Sequence, residues 1–450
     1  MKKYLTIVAM VAILAAACSK SKNSEQSEIV QDQKTYKSQI DSLLSVYEQR
    51  GDFMGSVAIF GSGQTVYSNA IGFSDVETKR KLKPDTKFRI GSISKTFTAV
   101  LVLMVQEENK FSLDQTIDTY FPSVENAGSI TISNLLNHRS GIHSFTRDKD
   151  FFSYHTRYIS SDDMLNTISK YQSDFMPDSK SEYSNSNYFL LALILEKVYE
   201  TTFENILTDK ILTPLDLKNT YAGDTINLEN NECYSYEYID DWSKLPETNM
   251  SVAMGSGSIV STSIDLTVFI DALFSGKLVS AASLAKMKTI VDDHGMGLMR
   301  FSIGGREAYG HHGSIDGFKS TLMHFPDQGL SIALVSNGSN SNNKEEVFME
   351  VLKHYHQDKL IEISEAEVIR YVGTYTNPND ASDKLIFLND GNILIHSIKG
   401  EFEEPLIYKG SRRFLFEQLY AESMVFTFSV DGKQLTLNQG EYEGVFYKDE

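Results

Sequence analysis

Apolar residues follow helical spacing in some parts of the chain and strand-like spacing in others. Residues 34–50 carry the helical pattern, and the apolar, glycine-free stretch 92–106 predicts a buried helix. Residues 188–199 form the clearest helix of a largely helical middle, roughly 100–275. Strands are predicted on both sides of this middle, at 56–60, 64–72, 296–303, 317–324 and 329–336, and a closing helix at 344–356. This arrangement predicts an α+β fold whose sheet takes strands from distant parts of the sequence.

The pattern changes from residue 366 onward. Short strand-like segments are interrupted by Asn-Asp-Gly at 389–391 and Val-Asp-Gly at 430–432, which are typical of tight hairpin turns. Phe426 and Phe428 alternate with polar neighbours, the period of a half-buried strand. We therefore predict a separate small all-β domain over 366–450, in the form of an open barrel. The role of this domain stays open: it could cover a cleft, mediate dimerisation or pack on the main domain.

The N-terminus has the anatomy of a secretory signal over residues 1–17. Lys2 and Lys3 precede an apolar stretch that is too short to span a bilayer. Leu-Ala-Ala-Ala-Cys ends this stretch and resembles a bacterial lipobox, which predicts that Cys18 becomes the lipidated first residue of the mature chain. A plain signal peptide cut near an alanine is the alternative. Residues 18–33 then form a flexible tether.

The composition and charge of the chain exclude several classes of protein and of binding partner. The 450 residues are 41% hydrophobic and 23% charged, which is ordinary for a globular protein, and their number suggests two domains. The net charge of -18 argues against nucleic acid and against electrostatic docking on anionic lipid. Only Cys18 and Cys233 are present, so a disulfide scaffold and a cysteine zinc cluster are excluded. We expect contact with the membrane through the N-terminal anchor alone.

The Ser-Ile-Ser-Lys segment that starts at Ser92 opens the long apolar helix. Residues three apart share a helix face, so Lys95 can reach the Ser92 hydroxyl. Unpaired N–H groups at a helix N-terminus favour the negative charge that develops in acyl transfer. Lys95 is useful as a base only when neutral, which needs burial or nearby cations. The same spacing occurs at Ser19, Ser283 and Ser341, but none of those serines opens a long apolar helix.

Two further segments carry polar groups that suit a cleft. Tyr183 and Asn185 lie in a Tyr-Ser-Asn sequence just before the 188–199 helix, where a nearby lysine can favour the phenolate. Residues 309–314, Tyr-Gly-His-His-Gly-Ser, place glycines near a predicted edge strand, which lets a substrate backbone approach closely. Taken alone, Tyr183 is also compatible with a solvated loop, and a His-His pair lies at the surface more often than in a functional site.

In order and spacing, these motifs resemble those of the serine hydrolases related to class C β-lactamases and the penicillin-recognising D-Ala-D-Ala peptidases. Residues 135–141 (Leu-Leu-Asn-His-Arg-Ser-Gly) and 257–262 (Gly-Ser-Ile-Val-Ser-Thr) resemble two other segments of that family. The resemblance covers roughly 35–357. It implies a catalytic domain over 34–358, with an antiparallel sheet flanked by helices and an all-helical insert.

The resemblance also implies roles for the matched residues. Ser92 is the expected nucleophile that forms an acyl-enzyme on a small-molecule or peptide substrate. Lys95 and Tyr183 are expected to share its proton and later to activate the deacylating water. No cofactor or metal is expected, and the sequence does not determine the oligomeric state.

The substrate-binding side departs from the class C β-lactamases. The backbone N–H groups of Ser92 and Ser314 are expected to form the oxyanion hole, while Asn185 binds the substrate's amide or carbonyl. His311 and Gly313 occupy the place of a Lys-Thr-Gly motif whose lysine helps hold a substrate carboxylate. Because histidine is largely neutral at pH 7 unless a carboxylate raises its pKa, an esterase, amidase or peptidase is expected before an efficient β-lactamase.

Two alternatives remain open beside hydrolysis. The acyl group could pass to an alcohol or amine if the pocket excludes water, or the fold could serve as an inactive receptor or scaffold. The joint presence of Ser92, Lys95 and Tyr183 favours an enzyme. The anchor predicts a periplasm-facing position in the cell envelope, and Ser19 after Cys18 favours the outer membrane by analogy.

Overall fold

The computed structural model describes residues 36–303, 305–340, 343–356, 363–398, 402–416 and 423–449. The predicted signal peptide, tether and Cys18 lie outside the described residues. Two large antiparallel sheets and a mainly helical region between the strands of the first sheet make up this part of the chain. The predicted α+β class with a C-terminal all-β domain is confirmed. The exact domain boundaries, 34–358 and 366–450, stay predictions.

The helices are α1 over 36–50, α2 Ser94–Glu107, α3 Ile132–Leu136, α4 Phe151–Tyr154, α5 Ser161–Ser169, α6 Asn185–Tyr199, α7 Phe203–Leu207, α8 Ser263–Phe274, α9 Ala281–Lys288, α10 Asn343–His356 and α11 Glu365–Val368. Within the described residues, no helix is both long and apolar enough to cross a membrane.

The strands up to residue 340 are β1 Phe53–Gly61, β2 Gln64–Ile71, β3 Phe73–Asp75, β4 Arg80–Lys81, β5 Phe88–Arg89, β6 Tyr221–Ala222, β7 Tyr236–Tyr238, β8 Trp242–Lys244, β9 Ile259–Ser261, β10 Met299–Ile303, β11 Arg306–Ile315, β12 Phe318–Phe325 and β13 Leu330–Ser339. The later strands are β14 Gly373–Asn377, β15 Asp380–Asp390, β16 Ile393–Ile398, β17 Phe402–Pro405, β18 Ile407–Tyr408, β19 Arg413–Phe416, β20 Met424–Phe428, β21 Gln434–Gln439 and β22 Tyr442–Lys448.

The first large sheet has the order β10-β11-β12-β13-β1-β2 and is antiparallel throughout. Helices α1 and α10 cover one face, where Ile40 and Val351 pack with Val57 and Ile59 of β1. Helix α8 packs on the other face, against β1, β12 and β13. Both faces of the central strands are therefore buried, which is why β1 is apolar along almost its whole length.

The predicted helical middle is interrupted between residues 220 and 262. Strands β6 to β9 lie there, and β9 pairs with β5 on one side and β6 on the other. These strands have only two or three residues, too few to show a periodic pattern. Their pairing joins residues 88–89 to 260–261, a long-range contact that no local pattern encodes.

The C-terminal sheet has nine strands in the order β17-β16-β15-β14-β22-β21-β20-β19-β18. Because β17 and β18 are consecutive in sequence yet lie at opposite ends of this order, the sheet curls into a nearly closed barrel. Its core is mainly aromatic, with Tyr371, Tyr375, Phe387, Phe426 and Phe428 all buried. Helix α11 and a short 3-10 turn precede the first strand, which the purely β pattern did not predict.

Candidate active site

Ser92 lies in a 3-10 turn, Gly91–Ile93, and α2 begins only at Ser94. The prediction that the α-helix starts at Ser92 is therefore wrong by two residues. Gly91 has a φ of +50°, in the left-handed region that favours glycine, and a Cβ there would lie 2.7 Å from the backbone N of Ser314. The turn thus lets β11 approach the serine directly.

Lys95 lies in the first turn of α2 and its side chain is fully buried. Its Nζ is 2.9 Å from Ser92 Oγ, 2.8 Å from Asn185 Oδ1 and 2.7 Å from the carbonyl oxygen of Ser256. Burial lowers the pKa of Lys95 well below its ordinary value. The Ser-x-x-Lys spacing predicts the contact with Ser92 but not the two contacts on the other side of the amine.

The partners of Lys95 determine where its lone pair points. A neutral amine has two N–H bonds and one lone pair, and the oxygens of Asn185 and Ser256 can only accept hydrogen bonds. The Asn185 amide orientation is supported by its Nδ2, which donates to Thr146 Oγ1 at 2.9 Å. When the amine is neutral, both of its N–H bonds go to these two oxygens and its lone pair faces the Ser92 hydroxyl, 2.9 Å away. A serine that donates to a neutral lysine is arranged for proton abstraction.

Tyr183 lies two residues before α6, and its hydroxyl hydrogen-bonds with Ser92. Its ring centroid is 4.8 Å from Lys95 Nζ. Burial raises the pKa of Tyr183 despite the opposing effect of the Ser92 hydrogen bond. The expected phenolate is therefore not favoured, because burial disfavours the charged form. In its protonated form, Tyr183 can donate or relay a proton.

His311 lies on β11 and is 2% exposed. Burial, followed by the neighbouring His312 and by Lys95, lowers the pKa of His311 well below its ordinary value. Its Nδ1 is 2.5 Å from the carbonyl oxygen of His312, which fixes the proton on Nδ1 and leaves Nε2 as an acceptor. His311 therefore occupies the position expected for the motif's cation without supplying a charge.

Gly313 and Ser314 bring the end of β11 against the serine turn. A Cβ on Gly313 would overlap the carbonyl oxygen of Ile90 and lie 3.0 Å from the backbone N of Ser92. Ser320 on β12 donates to the same Ile90 carbonyl at 2.8 Å. The backbones of Ser92 and Ser314 therefore lie close together, as the expected oxyanion hole requires.

Two histidines that received no role from the sequence pack against Tyr183. The ring of His138 is 4.5 Å from that of Tyr183 and the ring of His294 is 5.8 Å away, measured between centroids. His138 Nδ1 accepts from the backbone N–H of Ser184 at 3.2 Å, which holds the Tyr183 segment in place. Burial lowers the pKa of both imidazoles. His138 lies in the matched segment 135–141, and that match is the one signal that could have revealed it.

Two further observations concern groups outside this cluster. Cys233 is a buried free thiol among the described residues, and burial raises its pKa. In the described part of the chain, no three His, Cys, Asp or Glu side chains group closely enough to hold a metal ion.

The fold and this arrangement define the class of serine hydrolases that pair their serine with a lysine rather than with a histidine. Residues 42–353 match the family model described as Beta-lactamase, and the chain belongs to that family. The predicted relationship to β-lactamase-related serine hydrolases is confirmed.

Three similar proteins illustrate the range of this family. Penicillin-binding protein 4* of Bacillus subtilis (strain 168) is 25% identical over 425 residues, which cover 85% of this chain and 92% of that protein. The teichoic acid D-alanine hydrolase of Staphylococcus aureus (strain MRSA252) is 28% identical over 235 residues, 52% of this chain and 57% of that protein. D-amino acid amidase from Ochrobactrum anthropi SV3 is 26% identical in sequence, and its crystal structure superposes with a TM-score of 0.61. The match covers 70% of this chain and 99% of the amidase chain.

Proposed function

We propose that the protein hydrolyses amide, peptide or ester bonds through an acyl-enzyme on Ser92. The observation that carries this proposal is the fully buried amine of Lys95, which lies 2.9 Å from Ser92 Oγ and whose pKa is lowered well below its ordinary value by burial. Ser92 Oγ attacks the substrate carbonyl while its proton passes to Lys95. The N–H groups of Ser92 and Ser314 stabilise the oxyanion of the tetrahedral intermediate.

Collapse of the intermediate expels the leaving group, which takes a proton from Lys95 directly or through Tyr183. Water then attacks the acyl-enzyme and gives its proton to the same neutral Lys95. Lys95 passes a proton to Ser92 Oγ as the bond between Ser92 and the acyl group breaks. Asn185 already accepts from Lys95 and donates to Thr146. Its expected contact with the substrate must therefore use the second N–H of its amide nitrogen, because Nδ2 carries two.

The acyl group we propose is a D-amino acid residue. Support comes from two similar proteins, a teichoic acid D-alanine hydrolase and a D-amino acid amidase. A neutral His311 gives a substrate carboxylate no charge-assisted contact worth roughly 1.5–3 kcal/mol. Efficient hydrolysis of penicillins or cephalosporins is therefore not expected.

We further propose that the enzyme works on the periplasmic side of the cell envelope, anchored by lipid on Cys18. Its partners are then an acyl substrate and, through the anchor, a membrane. Support comes from the lipobox-like sequence before Cys18 and the polar stretch after it. A Cys18→Ser variant that stays with the membrane fraction would contradict this proposal, whereas its release into the soluble fraction supports it.

The first experiment measures the intact mass of protein that starts at residue 19, after incubation with a β-lactam and, separately, with D-alanine and L-alanine p-nitroanilide. Wild type should show an acyl adduct or released nitroaniline with the D substrate, and Ser92→Ala should show neither. Added hydroxylamine or glycerol distinguishes hydrolysis from acyl transfer by the products. If wild type turns over no substrate and the Ser92→Ala variant keeps its function in cells, the protein is instead a scaffold.

A further inference from the structure

The two backbone segments of the proposed oxyanion hole come from distant parts of the chain. Ser92 follows β5, which pairs with β9, whereas Ser314 lies on β11, which pairs with β10 and β12. The ladders therefore do not join the two segments to each other. The distance between the two segments therefore depends on contacts made outside the strand pairings. A change of about 1 Å in the position of a catalytic group lowers the reaction rate about 100-fold.

A buried ion pair connects these segments close to the two N–H groups. Arg89 precedes Ser92 by three residues and Asp316 follows Ser314 by two. Arg89 Nη1 is 3.0 Å from Asp316 Oδ2, and the two side chains are 2% and 4% exposed. The ion pair thus links the chain just before the nucleophile to the chain just after the second oxyanion donor.

A third segment completes this connection. Arg89 Nη1 also donates to the Thr248 carbonyl at 2.8 Å, while Asp316 accepts from the Thr248 N–H at 3.1 Å and from its hydroxyl at 2.6 Å. Arg89 Nη2 donates to the Asp224 carbonyl at 3.0 Å and to Glu247 at 3.2 Å. Arg89, Asp316 and Thr248 therefore form a closed ring of contacts that resists movement of either segment.

Stability alone does not account for this arrangement. Desolvation offsets much of the attraction in a buried ion pair, so well-packed apolar residues are often as stable. The Nε of Arg89 is also buried without a hydrogen-bond partner among the described residues, which is unfavourable. The directional contacts of a guanidinium and a carboxylate define a separation more sharply than apolar packing does.

We propose that the Arg89–Asp316 ion pair is a positioning pair that sets the distance between the Ser92 and Ser314 N–H groups, and through it the stabilisation of the tetrahedral intermediate. This inference rests on the proposed function. It extends that function to residues that contact neither the substrate nor the reacting atoms.

The test uses Asp316→Asn, which keeps the shape of the side chain, and Arg89→Lys, which keeps the charge. With D-alanine p-nitroanilide, kcat should fall about 10- to 100-fold with little change in KM, because the lost stabilisation is specific to the transition state. The affinity for phenylboronic acid, whose boron becomes tetrahedral when Ser92 Oγ adds to it, should fall by a similar factor. The double variant should be no worse than the poorer single variant, since the two side chains act as a unit.

Asp265→Asn is the matched control, because Asp265 is also a buried carboxylate, bonded to Thr220 and to the backbone of Asn219. All variants are compared at equal folded fraction, measured by circular dichroism. Wild-type kcat and boronic acid affinity in folded Asp316→Asn would overturn the inference, as would an equal loss in Asp265→Asn. Failure of wild type to acylate on Ser92 would instead remove the proposed function.

Discussion

The two domains bury different kinds of side chain at their centres. Around Ser92 the catalytic domain buries Lys95, His138 and His311, each at most 2% exposed and each with its pKa lowered by burial. The barrel centres instead on tilted and edge-on aromatic rings, such as Tyr375 against Phe428, and the Tyr375 hydroxyl donates to the Gly432 carbonyl. Burial tunes the proton affinity of the groups around Ser92, whereas in the barrel, where it also lowers the pKa of His396, it mainly supplies stability.

Because the proposed chemistry belongs to the first domain, removing the Ser92 hydroxyl should abolish activity without unfolding the protein. Ser92→Ala should lower kcat/KM by at least about 10³-fold, because no acyl-enzyme can form. Thermal unfolding should stay close to that of wild type. Ser283→Ala is the matched control, since Ser283 opens another Ser-x-x-Lys sequence and bonds Glu107 instead. Equal activity losses in the two variants would contradict the assignment of Ser92.

The barrel should respond in the opposite way. Phe428→Ala removes a buried ring that contacts four other aromatic rings, Tyr371, Tyr375, Phe387 and Phe414. We expect it to lower the free energy of unfolding of this domain by about 3–5 kcal/mol, measured by urea denaturation. The kcat of the folded enzyme should be unchanged. A loss of kcat at full folding would show that the barrel takes part in catalysis.

A glycine pair tests the same contrast at the level of the backbone. Gly313→Ala places a methyl group against Ile90 and Ser92, so we expect kcat/KM to fall about 100-fold. Gly391→Ala lies in an open barrel turn with no atom within 4 Å of the new Cβ, although its φ is +57°. It should cost about 1 kcal/mol of stability and no activity. If Gly313→Ala acts at wild-type rate, β11 does not pack against Ser92 as described.

Acid should inactivate the enzyme through Lys95. Because burial lowers the pKa of Lys95 in the folded state, kcat/KM should fall about tenfold per pH unit below that value. The unfolded chain keeps a lysine pKa near about 10.4, so unfolding free energy rises with pH between the two values. This part of the unfolding free energy is fully present above the pKa of Lys95 in the unfolded chain. It is lost as pH falls through the pKa of Lys95 in the folded protein.

The pH dependence is measured as kcat/KM and as urea stability, in wild type and in Lys95→Met. The methionine variant should lose both activity and this part of the stability dependence, whereas His311→Gln should keep an acidic limb. A wild-type rate that is flat from about pH 5 to 9 would exclude Lys95 as the base.

Much of the fold was readable from the sequence because its elements are long and apolar. Helices α2, α6 and α10 and strands β1, β2, β12 and β13 all lie where periodicity placed them, within a few residues at their ends. The barrel was signalled by hairpin turns and alternating aromatic residues. The short strands β5, β6 and β9 were missed, since two or three residues carry no period and form only when distant partners meet.

The sequence by itself determined the candidate set, since Ser92, Lys95 and Tyr183 are named from motifs that together, in order and spacing, resemble those of a known family. Only the tertiary structure decided their protonation states and orientation. The lone pair of Lys95 is directed by the carbonyl of Ser256 and the amide of Asn185, 161 and 90 residues away. Burial raises the pKa of Tyr183 and lowers that of His311, which favours the neutral form of each. Such properties depend on solvent exclusion and on neighbours from distant segments, and neither exists before the chain has folded.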